Sequence, residues 1–329
     1  MIFLNGEFIP SHQFKIESND RGFLLSDGLF ETMRVYDGKV FGLEDHYARL
    51  VAGAAVLKMP VPIKLEEMKA IILKLLGANE LSQKDATLRI TLTRGSGPRG
   101  LLPPADPKPT VMVTVAPYPV SQHAPVKLHI SNTTRRNERS PLSNIKSLCY
   151  LDNVLAKMEA VENKADDAVL LNTKDNVASA SAGNIFIVTS DNKILTPRIE
   201  DGILPGITRK SVIEICKENG ISLVEQAITV EDLLAAKEVF ITNSIVEIQP
   251  VASINNQLVN KGQAGELTAK IQDFYTQMVK KNSQAFVKAA SVSSSPLLLV
   301  NSFAGANKDI AEKDVASQHI QATGVENKM

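Results

Sequence analysis

Lys146 stands directly after Ile145 and two positions before Leu148, at the entry to a stretch with helical apolar spacing. An amine among apolar neighbours is poorly hydrated, which disfavours its charged form. Such a lysine attacks carbonyl carbon near neutral pH, forms an imine and can later carry protons. Farther along, Gly206-Ile207-Thr208 opens another helical stretch. The free amides of a first helical turn bind anions, and the glycine lets a ligand approach the backbone closely. Arg49 brings a guanidinium fork that grips phosphate through two parallel hydrogen bonds, and Ser244 adds a hydroxyl donor. Taken singly, each has an ordinary reading: a solvated lysine, a helix start capped by Thr208, an arginine on a solvated face. Taken together they supply a nucleophilic amine and an anion cradle.

The elements that must position these groups follow from periodicity and turn chemistry. Residues 2–9 alternate around Asn5-Gly6, a two-residue hairpin signal, and 29–40 read as a second strand pair turned at Tyr36-Asp37-Gly38. Residues 42–59 carry Leu43, Tyr47, Leu50 and Ala54 at helical spacing until Pro60 ends the run, and 65–76 form a second amphipathic helix. Strands are expected at 86–93 and 109–116. Between them Arg94 and Arg99 flank Gly95-Ser96-Gly97-Pro98, a glycine-bearing loop able to close over a ligand and bring an arginine to a substrate carboxylate. Residues 1–116 thus read as a smaller α+β domain, 117–123 as a linker and 124–281 as a larger domain. Residues 282–329, rich in Ser, Ala, Asn, Lys and Gln without sustained period, read as a disordered tail.

Within the larger domain a strand is expected at 126–131, then a helix at 148–164 with Leu151, Val154, Leu155 and Met158 on one side. Short strands at 168–172, 184–189 and 194–196 read as a meander without regular βαβ alternation. A helix at 208–219 closed by Gly220, a strand at 238–242 and a closing helix at 267–281 complete the reading.

Composition narrows the function classes. With 329 residues, 44% hydrophobic and 22% charged, the chain has globular make-up and length for two domains. Its 36 basic residues balance 36 acidic ones, leaving no footprint for nucleic acid or an anionic membrane. No run reaches the roughly 18 apolar residues that cross a bilayer, and residues 1–10 do not read as a signal peptide. Cys149 and Cys216 form no disulfide framework, and the five histidines show no metal-ligand spacing. A cytoplasmic protein that binds small molecules is expected, with no metal.

Six motifs carry a resemblance. They are Asp20-Arg21-Gly22-Phe23 with Asp27-Gly28-Leu29-Phe30-Glu31-Thr32, His46-Tyr47-Ala48-Arg49-Leu50, Asn144-Ile145-Lys146-Ser147, Ser181-Ala182-Gly183-Asn184-Ile185-Phe186, Leu204-Pro205-Gly206-Ile207-Thr208-Arg209 and Thr242-Asn243-Ser244. In this order and at this spacing the chain resembles the class IV aminotransferases, over about residues 1–280. The resemblance implies a two-domain α+β subunit of fold type IV with pyridoxal 5′-phosphate at the domain interface. It also implies a small-molecule amine substrate and at least a homodimer, with the 94–104 loop contributing to a neighbour's site. Lys146 matches the Schiff-base lysine, and Arg49, Ile207, Thr208 and Ser244, with Gly206 beside them, match the phosphate site. Arg99 matches a carboxylate-binding arginine of D-amino-acid aminotransferases. Leu101 and Phe30, however, stand where those enzymes have histidine and tyrosine. Phe30 is expected against the substrate, and Thr32 is expected to assist a leaving group.

One position departs from the pattern. Five residues before Asn184 the family carries a glutamate that pairs with the protonated ring nitrogen of the cofactor, and this chain has Ser179. A carboxylate keeps the ring a strong electron sink, whereas a hydroxyl more readily leaves the nitrogen neutral, unless another residue or water supplies the partner. Transamination needs a carbanion stabilised long enough to be reprotonated on the cofactor, while elimination needs only enough to expel a leaving group. Residues 28–32 and 242–248 also look like aminodeoxychorismate lyases. The favoured expectation is therefore a 4-amino-4-deoxychorismate lyase that releases pyruvate and forms 4-aminobenzoate for folate synthesis. The alternatives are an aminotransferase acting on D-amino or branched-chain amino acids and a non-catalytic cofactor-binding relic.

Overall fold

The computed structural model describes residues 1–118 and 124–292, with side chains to residue 282. Asn5 and Gly6 both take positive φ (46° and 99°), as do Asp37 and Gly38 (47° and 75°). Two consecutive left-handed residues match the twist of a tight hairpin, and Asn, Asp and Gly adopt that conformation at little cost. These turns join β1 (Ile2–Leu4) to β2 (Glu7–Ile9) and, after the short helix α1 (Arg21–Leu25), β3 (Gly28–Tyr36) to β4 (Lys39–Val40). Helices α2 (Leu43–Val56) and α3 (Leu65–Ala78) follow, then β5 (Ala86–Thr93) and β6 (Thr110–Pro117). The six strands form one antiparallel sheet in the order β2-β1-β6-β5-β3-β4.

Along β3 the period of two sends Leu29, Met33 and Val35 into a core shared with Leu43, Leu50, Ile72 and Leu75 of the two helices. Phe30, Thr32 and Arg34 therefore occupy the other face. Glu31 falls in the core-facing row and is fully buried, a placement a strand tolerates only when the charge is paired.

The second half of the chain builds a larger sheet. Its elements are β7 (Val126–Arg136), α4 (Leu151–Glu162), β8 (Asp167–Asn172), β9 (Val177–Ala180), β10 (Asn184–Val188) and β11 (Ile194–Thr196). They continue with α5 (Ile207–Glu218), β12 (Leu223–Glu225), α6 (Val230–Leu234), β13 (Glu238–Asn243), β14 (Glu247–Ile254), β15 (Gln257–Leu258) and α7 (Glu266–Val292). The strand order is β12-β11-β10-β13-β14-β7-β8-β9, with β15 beside β14. The expected meander without regular βαβ alternation has its antiparallel hairpins, β8 with β9 and β10 with β11, but two crossovers interrupt it. β7 and β8 run parallel across α4, and β11 and β12 run parallel across α5. A parallel pair needs such a crossover; β12 has only three residues and β7 shifts register between Ile130 and Arg135, so neither pairing shows as a periodic signal.

Helix α4 differs from its reading in a second way. Leu151, Val154, Leu155 and Met158 are all exposed, and the buried residues are Asn153, Ala156 and Ala160. Short side chains let the helix lie close on β7 and β8, so the apolar row faces outward. Helix α7 runs to Val292, past the expected end at 281. Residues 293–329 of the expected tail and 119–123 of the expected linker lie outside the described residues. Met1–Lys288 form one compact unit that holds both sheets. Among the described residues no helix is long and apolar enough to cross a membrane.

Candidate active site

A cavity of about 300 Å³ opens between the free face of β3 and the ends of β9, β10 and β13. Lys146 enters it from an extended segment pinned to β3: the Phe30 amide donates to Lys146 O at 2.9 Å and the Leu148 amide to Gly28 O at 3.0 Å. The Asn144 amide group donates to the carbonyls of Ile199 and Ile203 at 3.0 and 2.9 Å. Extended backbone alternates its side chains, so with Ile145 buried in the first core Lys146 turns to the cavity. Its Nζ donates to Tyr150 Oη at 3.2 Å and lies 4.4 Å from the centre of the Phe30 ring.

The expected anion cradle falls at the start of α5. Gly206 precedes the helix, and the first intrahelical bond is Lys210 N–H to Gly206 O, which leaves the Ile207 and Thr208 amides without helical acceptors. A Cβ at Gly206 would stand 2.0 Å from Asn184 Oδ1, so only glycine fits against the second sheet. Arg49 lines the same cavity. Its Nε and Nη2 donate to the two Glu31 oxygens at 2.8 and 2.6 Å, and Nη1 donates to Pro205 O at 3.0 Å.

His46, one turn earlier on α2, shares the same carboxylate: its Nδ1 lies 2.6 Å from Glu31 Oε2 and its Nε2 3.3 Å from Ser244 Oγ. Burial works to raise the pKa of Glu31, but the bonds from Arg49 and His46 outweigh it and hold the group at about 2. Burial lowers that of His46 against the pull of Glu31, and the charges of Arg49 and Lys146 add to the lowering. A neutral imidazole beside a carboxylate carries its proton on Nδ1, so Nε2 accepts the Ser244 hydroxyl proton. With that tautomer the Ser244 hydroxyl is a donor to His46, and its oxygen lies at the cavity wall.

Phe30, Thr32 and Ser179 also line the cavity, as do Ile207, Thr208 and Ser244. Arg99 does not; it is exposed on its loop. Arg94, the other loop arginine, is a structural group. It is buried, its Nε donates to Asp27 at 2.7 Å and its Nη2 to Leu57 O at 2.8 Å. Three lining residues escaped the sequence reading: Tyr150, Arg136 and Asn153. Arg136 donates from Nε to Gly202 O at 3.2 Å and from Nη2 to Ser143 O at 2.8 Å. Arg89, opposite Thr32 in register, places its guanidinium carbon 3.9 Å from the Phe30 ring centre. The Glu31, His46 and Arg49 group had a legible signal: a charged residue in the apolar row of a strand, with two basic residues three apart on the next helix.

A model of the family described as amino-transferase class IV matches residues 28–254. The chain belongs to the class IV aminotransferases. A provisionally named branched-chain-amino-acid aminotransferase of Methanocaldococcus jannaschii is 40% identical over 273 residues, covering 83% of this chain and 94% of that protein. A D-alanine aminotransferase of Bacillus licheniformis is 33% identical over 278 residues, 82% and 94% of the two chains. Among solved structures, the Escherichia coli branched-chain amino acid aminotransferase matches with a TM-score of 0.80 at 26% identity, over 84% of this chain and 94% of that one. A provisionally named 4-amino-4-deoxychorismate lyase of Legionella pneumophila matches at 0.73 and 29%, over 81% and 96%.

Class IV aminotransferases use pyridoxal phosphate, and a branched-chain member of this fold was solved with pyridoxamine 5′-phosphate. The donor set of this class IV enzyme fits that group. Lys146 offers an amine to an aldehyde, and the α5 amides with Arg49 offer a phosphate site. Thr242 Oγ1, which lines the cavity and is buried without a partner, awaits a polar atom.

Proposed function

We propose that this class IV enzyme is an aminotransferase that moves the amino group of an amino acid with an apolar side chain, of the branched-chain type, to a 2-oxo acid. The carrying observation is the apolar wall beside Lys146: Phe30, Leu204, Ile245 and Val246 line the same cavity. The names of the relatives at 40% and 33% identity support transfer over elimination. In this reading the cofactor lies between the domain of residues 1–116 and that of 124–281.

Pyridoxal phosphate, when bound, supplies the aldehyde that Lys146 holds and a ring that draws electrons from the substrate Cα–H bond. Lys146 would take the substrate Cα proton at Nζ and return it, with Tyr150 orienting that nitrogen. The α5 amides and Arg49 hold the phosphate, with Glu31 fixing the guanidinium plane. Phe30 and Tyr150, edge to face at 5.0 Å, exclude water from the amine. Arg136, whose Nη1 donates to none of the described residues, is the cation we assign to the substrate carboxylate in place of the exposed Arg99.

Amino donors of both configurations, offered with 2-oxoglutarate and with pyruvate, test the assignment; fast oxo-acid-dependent transfer from leucine, isoleucine or valine is expected. The lyase is the second reading, favoured by Ser179 in the cavity wall and by the likeness to the Legionella protein. Release of pyruvate and 4-aminobenzoate from 4-amino-4-deoxychorismate without any oxo acid, and no amino transfer, would reverse the order.

We also propose a homodimer. The exposed row on α4, with Val161, and the exposed Leu101 and Leu102 offer apolar surface of the kind partners bury. Sedimentation of a monomer at micromolar concentration would reject it.

A further inference from the structure

We propose that Asn153 stands in for the absent carboxylate and holds the proton on the ring nitrogen of the bound cofactor through its Oδ1. This rests on the pyridoxal-phosphate reading above. None of the described residues lining the cavity is an aspartate or glutamate, and the ring takes its electron-withdrawing power from whatever faces that nitrogen. Ser179 does not decide the matter, because a hydroxyl either donates or accepts.

Asn153 can only take one part. It sits on α4, is 8% exposed and lines the cavity. Its Nδ2 donates to Ser181 O at 2.5 Å. That bond fixes the orientation of the amide, since exchanging nitrogen and oxygen would set two carbonyl oxygens against each other. Oδ1 is left buried with no hydrogen-bond partner. A carbonyl oxygen only accepts, so the group it awaits is a donor. A protonated ring nitrogen satisfies it, whereas an unprotonated one would oppose lone pair to lone pair.

Charged groups on the packed elements set how firmly the proton is held. Lys146, Arg136 and Arg49, the last paired with Glu31, line the same cavity with Tyr150, and the cations oppose further positive charge. Asp167 on β8 favours it from behind the wall, accepting from Ser181 Oγ and lying 3.6 Å from Lys157; Asp152 precedes Asn153 on α4. A neutral acceptor among these charges holds the proton more weakly than a carboxylate would, yet keeps the cationic ring that transamination uses.

The test loads the full chain with pyridoxal 5′-phosphate labelled with ¹⁵N in the ring and follows that resonance through a pH titration. The wild type is expected to show a protonated nitrogen at neutral pH. Asn153→Ala is expected to lower the titration midpoint by about one pH unit or more, a tenfold loss of proton affinity. Asn153→Asp, which keeps Oδ1 and adds charge, is expected to raise it, and Ser179→Glu is expected to restore the midpoint of Asn153→Ala. An unprotonated wild-type ring at neutral pH, or a midpoint unmoved by the Asp variant, overturns the proposal even if the Ala variant does not fold. Wild-type protein with no borohydride-reducible attachment at Lys146 would instead sink the cofactor reading and this inference with it.

Discussion

Arg34 Nη1 lies 3.0 Å from Glu247 Oε1 and thereby ties the first sheet to the loop that closes the cavity. Tyr36 Oη donates to the same oxygen at 2.7 Å, and Arg34 Nη2 reaches Asp85 at 3.0 Å. The guanidinium also stacks 3.4 Å from the Tyr118 ring centre, and the Tyr118 hydroxyl donates to Ile245 O at 3.2 Å. Glu247 takes a left-handed φ of 59°, a conformation that costs a residue with a Cβ and persists because its carboxylate is held. Ser244, Ile245 and Val246, immediately before it, line the cavity.

Removing the guanidinium takes one charged partner from a largely buried carboxylate and one from Asp85. Arg34→Ala is expected to cost about 3 kcal/mol of stability and to raise KM for the amino acid as the loop moves. Arg34→Lys should recover only part, because one ammonium does not span Asp85 and Glu247. Urea denaturation beside steady-state kinetics checks both, and an alanine variant as stable as the wild type would remove the clamp from the account.

Glu31 titrates at about 2 in the folded chain against an ordinary 4.5, so folding favours its ionised form. The stability it contributes is complete above about pH 4.5 and disappears as pH falls toward 2. Glu31→Gln is expected to be less stable than the wild type at pH 7 and to lose less between pH 5 and about 2.5. Parallel denaturation curves across that window would contradict the pairing with Arg49 and His46.

Gly206→Ala places a methyl group against Asn184, whose amide is held by Leu204 O at 2.9 Å and has little room to yield. The start of α5 must shift. Affinity for pyridoxal phosphate is expected to fall about tenfold or more, with the fold retained. Equilibrium dialysis of the cofactor, beside circular dichroism, separates the two effects.

Lys146→Ala is expected to lose the borohydride-fixed cofactor and about a thousandfold or more in kcat. Peptide mass mapping locates the attachment. A reducible linkage that survives in the alanine variant would place the nucleophile elsewhere.

What the sequence disclosed followed from local chemistry. The Asn5-Gly6 and Asp37-Gly38 turns announce their hairpins because few other residues take two left-handed conformations in succession. The α5 start is marked by Gly206 itself. Periodicity, by contrast, says that a helix has an apolar side and not that this side faces its own core; on α4 the packing residues were Ala156 and Ala160. Tyr150, Arg136 and Asn153 were hidden because their meeting depends on the β7-α4-β8 crossover, which no short pattern marks. The lyase expectation leaned on Ser179, on Phe30 and Leu101 in place of two D-amino-acid contacts, and on the likeness of residues 28–32 and 242–248 to lyases; a changed partner such as Ser179 leaves open what else the fold brings to the same atom.

The backbone bridge at Lys146 ties the direction of the amine to β3. A side chain from the second half of the chain depends on the amides of Phe30 and Leu148, one on each side of the seam, for its direction. Hydrogen exchange at those two amides therefore times the parting of the halves, and slowing of both together on loading would mark the cofactor as a latch between them.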